Sequence, residues 1–248
     1  NGGEKKKMEI VLTGMLVALI GGILYFAYKK EKIDRSAVVA TAMIGIIFLI
    51  AGGNRWIIPP FIFFVGGSLA THYKKEKKEK LNADQKIRTW KNVGANGGAA
   101  TIFAMSYIST GDPIFFIGMI ASVAVAMADT LATELGQVYG ENPKFLLDFF
   151  HKESGRNTSV GDAGAVSKEG FLFALMGSAM ISALLIFWGY SMEIFVICLL
   201  SGFIGCVADS LLGSTLEQKG LVDTHEINLL TTLLGGFIAM MIASVFFF

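Results

Sequence analysis

Eight long apolar runs are the feature that most constrains the fold of this chain. Each has the roughly 17 to 25 mostly apolar residues that a helix needs to cross the hydrocarbon core of a membrane. The chain is 53% hydrophobic and 17% charged, with a mean hydropathy of +0.59, which excludes a soluble globular domain. The sequence therefore predicts an all-α polytopic membrane protein, a compact bundle of about eight transmembrane helices. The runs cover residues 9–28, 36–53, 56–73, 93–110, 113–131, 170–189, 191–211 and 229–247.

Small residues are concentrated inside several of these runs, as in GANGGAA at 94–100. Glycine and alanine let transmembrane helices approach closely, which favours a tight bundle over lone anchors. The run at 93–110 is the most polar of the eight, and its first turns are candidates for a broken or re-entrant entry instead of plain helix. We divide the chain into residues 1–80, which are N-terminal transmembrane helices with a basic loop, and residues 81–248, a motif-bearing catalytic region.

Positive charge orients the predicted bundle. If the runs alternate in direction, the loops at 29–35, 74–91, 132–169 and 212–228 share one side and carry seventeen of the 21 Lys and Arg residues. Because cytoplasmic loops carry an excess of Lys and Arg, this side is expected to be cytoplasmic, with both termini outside. The lysines at 5–7 oppose that orientation and leave an odd number of spans open.

The expected localisation is a multi-pass protein of the cell membrane whose active site is on the cytoplasmic side. The lysine-rich segment at 74–80 is interpreted as a topogenic loop that faces lipid headgroups.

Two similar acidic motifs follow apolar runs on that side. MADTLATELGQ begins at Met127 and VADSLLGSTLEQ begins at Val207. Their likeness suggests a parallel internal repeat, in which equivalent helices deliver equivalent residues to one site. Ionisable residues at a membrane span are costly unless they face a polar cavity, so Asp129 and Asp209 are functional candidates.

The two acidic residues of the first motif do not share a helix face. At roughly 100° per residue, Asp129 and Glu134 are about 140° apart on a continuous helix. One ion reaches both only if the helix breaks or if the site is approached from two sides. Gly136 and Gly213 are the candidate break points.

Oxygen donors near a basic, glycine-containing loop point to Mg²⁺ and phosphate. Mg²⁺ prefers carboxylate and water oxygens and is commonly held by one or two carboxylates together with substrate phosphates. No pair of the three histidines has the spacing of a zinc helix motif, which argues against zinc. We therefore predict Mg²⁺ as the cofactor. Its predicted ligands are Asp129, Glu134, Asp209 and Glu217.

Two further segments carry groups suited to phosphate. The stretch HKESGRNTSVGDAGAVSKEG at 151–170 offers Lys152 and Arg156 among glycines and hydroxyls directly before a helix, and such a turn is a good anion cradle. In KIRTWKNVGANGG, Asn92 and Asn96 are one helical turn apart on one face. Buried amides at that depth need partners such as phosphate or ribose hydroxyls.

These motifs, in this order, resemble those of the integral-membrane family that includes plant phytyl-phosphate kinase and its prokaryotic relatives. The resemblance covers roughly residues 80–248 and rests on RTWKNVGANGG, MADTLATELG, GDAGAVSKEG, ADSLLGSTLEQ and EINLLTT. The loop reads GDAGAVS where the family pattern is closer to GTSGGVT, and Asn92 stands where relatives often have Gln. The positions matching family motifs are Arg88, Asn96, Asp129, Thr130, Glu134, Gly164, Ser167, Asp209, Glu217 and Asn228.

The resemblance implies transfer of a phosphate from a nucleoside triphosphate, with CTP as a candidate donor, to an isoprenyl monophosphate such as phytyl or geranylgeranyl phosphate. We assign catalytic roles to Asp129, Asp209 and Arg156. The predicted partners are the nucleotide, the isoprenyl monophosphate and the lipid bilayer, without nucleic acid; the oligomeric state is left open. The predicted substrate- and nucleotide-binding residues are Arg88, Lys91, Asn92, Asn96, Thr130, Lys152, Gly161, Asp162, Gly164, Ser167 and Asn228.

Other classes of function remain open at this level. A CTP-dependent polyprenol kinase or a lipid nucleotidyltransferase uses similar acidic and phosphate-binding groups. A cation-coupled transporter uses paired carboxylates inside the membrane and is compatible with a parallel repeat.

Overall fold

The computed structural model describes residues 2–79, 87–149 and 158–247, and these residues are mainly helical. Two short strands, β1 (Lys144–Phe145) and β2 (Ala165–Val166), form an antiparallel sheet in the segment before the helix that begins at Lys168. A 3₁₀ turn follows β1 at Leu146–Phe149, and a π-helical turn occupies Gly213–Glu217. The helices are α1 (Gly2–Lys29), α2 (Arg35–Gly52), α3 (Asn54–His72), α4 (Lys75–Glu79), α5 (Trp90–Thr110), α6 (Ile114–Tyr139), α7 (Lys168–Phe187), α8 (Met192–Leu212) and α9 (Thr224–Phe247).

Every predicted apolar run corresponds to a long helix, since only α4 in the described residues is short. Six helical stretches are long and apolar enough to cross a membrane, and these lie in α1, α2, α6, α7, α8 and α9. The two other long helices are α3 and α5, and the polar character of α5 was visible in the sequence. The all-α polytopic membrane fold is as predicted.

Helix α6 is the centre of the bundle. It packs against α3, α5, α7, α8 and α9, and its stretch from Ala121 to Ala128 is buried throughout. The neighbours come close because small residues face it. A Cβ added at Gly202 of α8 would lie 2.3 Å from Ser178 Oγ and 2.8 Å from Ala124 Cβ. Glycine at this position therefore permits the contact between α6, α7 and α8.

The start of α5 is regular helix, so the expected broken or re-entrant entry is wrong. The Thr89 side chain caps the helix, accepting from the Lys91 backbone N–H, and the Asn92 side chain accepts from the Thr89 backbone N–H. This reciprocal capping box satisfies backbone groups that a membrane-embedded helix end would otherwise leave unpaired. The polar residues that suggested a break thus stabilise the helix start.

Two of the basic loops that were predicted to share one side are in direct contact. Ile33, between α1 and α2, forms a parallel bridge with Arg88, which precedes α5. The Asp34 N–H donates to the Arg88 carbonyl at 3.0 Å, and the Arg88 N–H donates to the Lys32 carbonyl at 3.1 Å. The bridge fixes the backbone of Arg88 beside the ends of the first two helices.

The two candidate break points behave differently. Helix α6 continues through Gly136 to Tyr139, so a break there is wrong. At Gly213 the helix changes to a π turn, in which the Gln218 N–H reaches back five residues to the Gly213 carbonyl. A π turn widens a helix locally and is frequent at functional sites. The π turn directly continues α8, the helix of Asp209, and it ends at Glu217.

Candidate active site

A polar cavity of about 400 Å³ lies between α6, α8, α9 and the loop that precedes α7. It brings together eleven of the predicted site residues from six separate stretches of chain. They are Arg88, Asp129, Thr130, Glu134, Gly161, Asp162, Gly164, Ser167, Asp209, Glu217 and Asn228.

Asp209 is held in place by the last helix. The Thr231 hydroxyl donates to Asp209 Oδ2 at 3.1 Å. The Asn228 amide, oriented with its nitrogen toward two acceptors, donates to the same oxygen at 3.2 Å and to the Thr224 carbonyl at 3.0 Å. Both donors therefore act on one carboxylate oxygen and fix the direction of the side chain toward the cavity.

Asp129 has a different environment, because within the described ranges no hydrogen-bond donor or basic side chain is paired with it. Its negative charge is repelled by the neighbouring carboxylates of Asp209, Glu217 and Glu134. Charges inside a membrane protein are costly unless a counter-charge or polar cavity compensates them. Carboxylates in such a polar cavity are suitable ligands for a cation. Glu217 accepts a hydrogen bond from the Thr224 hydroxyl, which anchors the end of the π turn to the start of α9.

The donor set fits Mg²⁺ better than a metal enclosed by protein ligands alone. No group of three or more His, Cys, Asp or Glu side chains in the described part of the chain is arranged to hold a metal. Mg²⁺ does not need such a group, because it keeps water and takes substrate phosphates together with one or two carboxylates. Asp129, Asp209 and Glu217 supply hard oxygen donors of that kind.

Glu134 has partners of its own. Lys78 Nζ donates to its Oε2 at 2.7 Å, and the Thr71 hydroxyl donates to its Oε1 at 2.8 Å. Arg88 Nη2 donates to Thr71 Oγ1 at 3.2 Å. Burial lowers the pKa of the Arg88 guanidinium, while the negative charge of Glu134 raises it. The group stays cationic, since an arginine does not deprotonate in proteins.

The geometry of α6 now explains how Asp129 and Glu134 belong to one cavity without a helix break. Both residues line the polar cavity, and Glu134 is met by Thr71 and Lys78 from α3 and α4. Binding of one ion by both carboxylates, approached from two sides, stays a prediction. A role of Glu134 in metal binding stays a prediction, and its two carboxylate oxygens already accept a lysine and a hydroxyl.

The glycine loop lies against the π turn. Gly161 and Gly164 have φ of +100° and +75°, which side chains rarely adopt. A Cβ at Gly164 would lie 2.2 Å from the Ser214 nitrogen and 2.4 Å from the Ser210 carbonyl oxygen. Asp162 accepts from the Ser159 N–H and closes the turn.

The loop ends at the N-terminus of α7. Ser167 caps this helix by accepting from the Gly170 N–H at 3.0 Å, and both residues line the polar cavity. A helix N-terminus is favourable to anions, because free backbone N–H groups and the helix dipole point toward it. The anion cradle expected from the sequence thus adjoins the carboxylates.

Three predicted residues lie outside the polar cavity. Asn92 and Asn96 line a second, mainly apolar cavity, where the Asn96 amide donates to the Asn92 carbonyl. Lys91 is exposed and lines neither cavity. Lys152 and Arg156 lie outside the described residues, so their predicted roles stay predictions.

The chain matches the family model for the integral membrane protein DUF92 over residues 17–236. The chain belongs to this family. The resemblance drawn from the motifs is therefore confirmed at the level of the family. No solved structure matches the chain.

Proteins with similar sequences come from Methanocaldococcus jannaschii and Arabidopsis thaliana. An uncharacterized membrane protein of Methanocaldococcus jannaschii, MJ0933, is 31% identical over 96% of this chain and 98% of its own length. The chloroplastic protein VTE6 of Arabidopsis thaliana is 21% identical over 93% of this chain and 70% of its own length. The protein PGR of the same plant is 23% identical over 86% and 82%, respectively.

Some residues of the site were missed by the sequence reasoning. Thr231 lies three residues after Asn228, and this spacing on one helix face was a usable signal. No sequence signal distinguished Lys78, because the six neighbouring lysines and glutamates have the same local pattern. The segment was interpreted as lipid-facing, yet Lys78 is 2% exposed and its ammonium also donates to the Ala70 and Thr71 carbonyls. For this residue the interpretation was wrong.

Replacing Lys78 with methionine is expected to lower the stability of the detergent-solubilised protein by about 3 kcal/mol, because it leaves the partly buried Glu134 carboxylate without its cationic partner. For a chain of this size that corresponds to a Tm lower by about 6–12 °C. Thermal unfolding of purified variants measures the change.

The matched control is Lys75→Met, which removes the exposed ion pair with Glu79 and is expected to cost less than about 1 kcal/mol. The double variant Lys78→Met with Glu134→Gln should recover most of the loss. Equal Tm values for the two single variants would contradict the buried role of Lys78.

Proposed function

We propose that this chain is a membrane-embedded kinase that transfers the terminal phosphate of a nucleoside triphosphate to an isoprenyl monophosphate. The observation that carries the proposal is the polar cavity itself, which is lined by the carboxylates Asp129, Asp209 and Glu217, by the cationic Arg88 and by a glycine loop at a helix N-terminus. Family membership and the similarity to VTE6 support it.

The groups of the cavity match the needs of two anionic reactants. Phosphoryl transfer depends on alignment and charge neutralisation more than on covalent help from the protein. In the proposal, Arg88 binds the lipid phosphate, and the backbone N–H groups of the loop at 161–167 bind the nucleotide phosphates. Asp129 and Asp209, with Glu217 nearby, would hold Mg²⁺ together with water and substrate phosphates, and the ion would supply positive charge to the phosphate oxygens.

The proposed reaction balances without a further reactant. An oxygen of the isoprenyl monophosphate forms a bond to the γ-phosphorus, and the bond from that phosphorus to the oxygen shared with the β-phosphate breaks. The products are an isoprenyl diphosphate and a nucleoside diphosphate. The attacking oxygen is already ionised, so no side chain is required to act as a strong base. Soluble nucleotide reaches such a site from the cytoplasm, which agrees with the orientation proposed from the charges of the loops.

The test is incubation of purified protein with γ-labelled CTP or ATP, Mg²⁺ and geranylgeranyl monophosphate. We expect labelled geranylgeranyl diphosphate and unlabelled nucleoside diphosphate in equal amounts, and no product after chelation of Mg²⁺. Release of pyrophosphate would instead assign a nucleotidyltransferase. In a parallel incubation with geranylgeraniol in place of its monophosphate, label transferred only to the alcohol would assign a polyprenol kinase. Either outcome would overturn the proposal.

A further inference from the structure

A second cavity, of about 260 Å³, lies among the N-terminal helices and α5. Its walls come from α1, α2, α3 and α5, two of which are candidate membrane spans. They are almost wholly apolar, with Ile20, Leu24, Ile44, Phe48, Ile57 and Phe63 among the lining residues. The four helices leave this space unfilled, whereas α6 is closely packed from Ala121 to Ala128.

The apolar cavity joins the polar cavity at one end. Arg88 and Thr130 line both. The polar groups Asn92 and Asn96 lie near the start of α5, at the same end as Arg88. The opposite end contains only apolar groups such as Phe48 and Ile57. The space is therefore polar at the mouth and apolar in its depth, as a site for an amphipathic molecule must be.

The length of the cavity suits a lipid chain. On α2 its lining extends from Ala37 to Phe48, which at 1.5 Å per residue is about 16 Å. On α3 it extends from Gly67 to Ile57, a similar distance. This is roughly half of the 30 Å hydrocarbon core of a membrane.

We propose that this apolar cavity binds the hydrocarbon tail of the isoprenyl monophosphate, with the phosphate at Arg88 where the two cavities meet. The inference rests on the proposed function and adds the place of the lipid. The tail lies between α1, α2, α3 and α5, and the N-terminal helices thereby belong to the substrate site. The guanidinium at the junction holds the phosphate facing Asp129 and the glycine loop.

Gly45 allows the cavity to be filled without disturbing the packing. It lines the cavity, and a Cβ added there meets nothing within 4 Å. It is eight residues from Ala37, or about 12 Å from the polar mouth. A phenylalanine at this position would occupy the deep part and leave the mouth open. Gly21 of α1 is the matched control, because it also has open space around its Cβ but is exposed and does not line the cavity.

The first measurement is kcat/KM for two substrates, geranylgeranyl monophosphate with four isoprene units and dimethylallyl monophosphate with one. Gly45→Phe is expected to reduce the value for the long substrate by roughly tenfold or more, since each methylene excluded from an apolar site costs about fourfold. The value for the short substrate should stay within about twofold. Gly21→Phe should change neither. A ratio of long to short substrate that is the same in Gly45→Phe and in the wild type would overturn the tail site.

The second measurement does not depend on catalysis. A geranylgeranyl monophosphate analogue with a diazirine on its last isoprene unit is bound to the wild-type protein and photoactivated. We expect labelled peptides from the cavity walls, namely 20–24, 44–48 or 57–64, and loss of this label in Gly45→Phe. Labelling confined to α8 and α9 would overturn the inference. In a competition experiment, equal displacement of the probe by lysophosphatidic acid and by unlabelled geranylgeranyl monophosphate would also overturn it.

The two measurements separate failure of the inference from failure of the proposed function. Label in the cavity walls without any diphosphate formed would reject the kinase and keep the tail site. Diphosphate formation with label elsewhere would reject the tail site and keep the kinase.

Discussion

Asp129→Asn is expected to lower kcat for isoprenyl diphosphate formation by about 10²–10³-fold or more, the usual effect of removing one electrostatic contributor at a reaction centre. The carboxylate of Asp129 has no donor paired with it within the described ranges and is repelled by Asp209 and Glu217. Asparagine has nearly the same shape but removes the negative charge that a cation needs. Product formation from labelled nucleotide measures the effect.

Stability should change in the opposite sense from activity. Removing one of these repelling charges relieves the folded state, so the Tm of Asp129→Asn in detergent should equal or exceed that of the wild type. The control is Asp112→Asn, at the exposed turn between α5 and α6, where asparagine can still accept the Ile114 N–H. It should leave both activity and Tm unchanged. Wild-type kcat in Asp129→Asn would reject the assignment of this carboxylate to the metal.

Gly164→Ala should have the second large effect, because it displaces the loop from the π turn. The new methyl group would meet backbone atoms of Ser210 and Ser214 at 2.4 Å or less, and backbone cannot give way as a flexible side chain does. The positive φ adds about 1–3 kcal/mol of strain. We expect a large loss of activity together with a lower Tm, measured on the same preparation.

Gly161→Ala separates these two causes. Gly161 also has positive φ, +100°, but a Cβ there meets nothing within 4 Å. The Tm of Gly161→Ala should fall because of the backbone strain alone. Gly164→Ala adds the contact with the π turn and should unfold at least about 4 °C lower than Gly161→Ala, since 1 kcal/mol corresponds to about 2–4 °C in a chain of this size. Equal effects of the two substitutions would mean that the contact between the loop and the π turn is unimportant.

The two acidic motifs illustrate what sequence patterns predict well. Asp129 and Asp209 were assigned to one site because charged residues at membrane spans are rare and costly, and they do line one cavity. The turn at Gly161 and Gly164 and the helix start at Ser167 were also predictable, since glycines and a capping serine before an apolar run specify a turn and a helix start.

Tertiary packing decided the partners of individual side chains. Asn92 was expected to meet substrate, but its side chain completes the capping box of α5. Lys78 resembles its neighbours in the sequence, and only the return of the chain past α6 places it on Glu134. Such pairings join residues far apart in the chain, so no local pattern encodes them.

By itself, the sequence determined the membrane class, the positions of the long helices, the family and eleven of the residues that line the polar cavity. These follow from local properties, namely the length of apolar runs, helix periodicity and the cost of charge near lipid. Only the tertiary structure decided that α6 continues through Gly136, that Glu134 pairs with Lys78 and that an apolar cavity opens onto Arg88. The physical reason is that these features depend on how helices distant in the chain pack together, which composition and spacing do not specify.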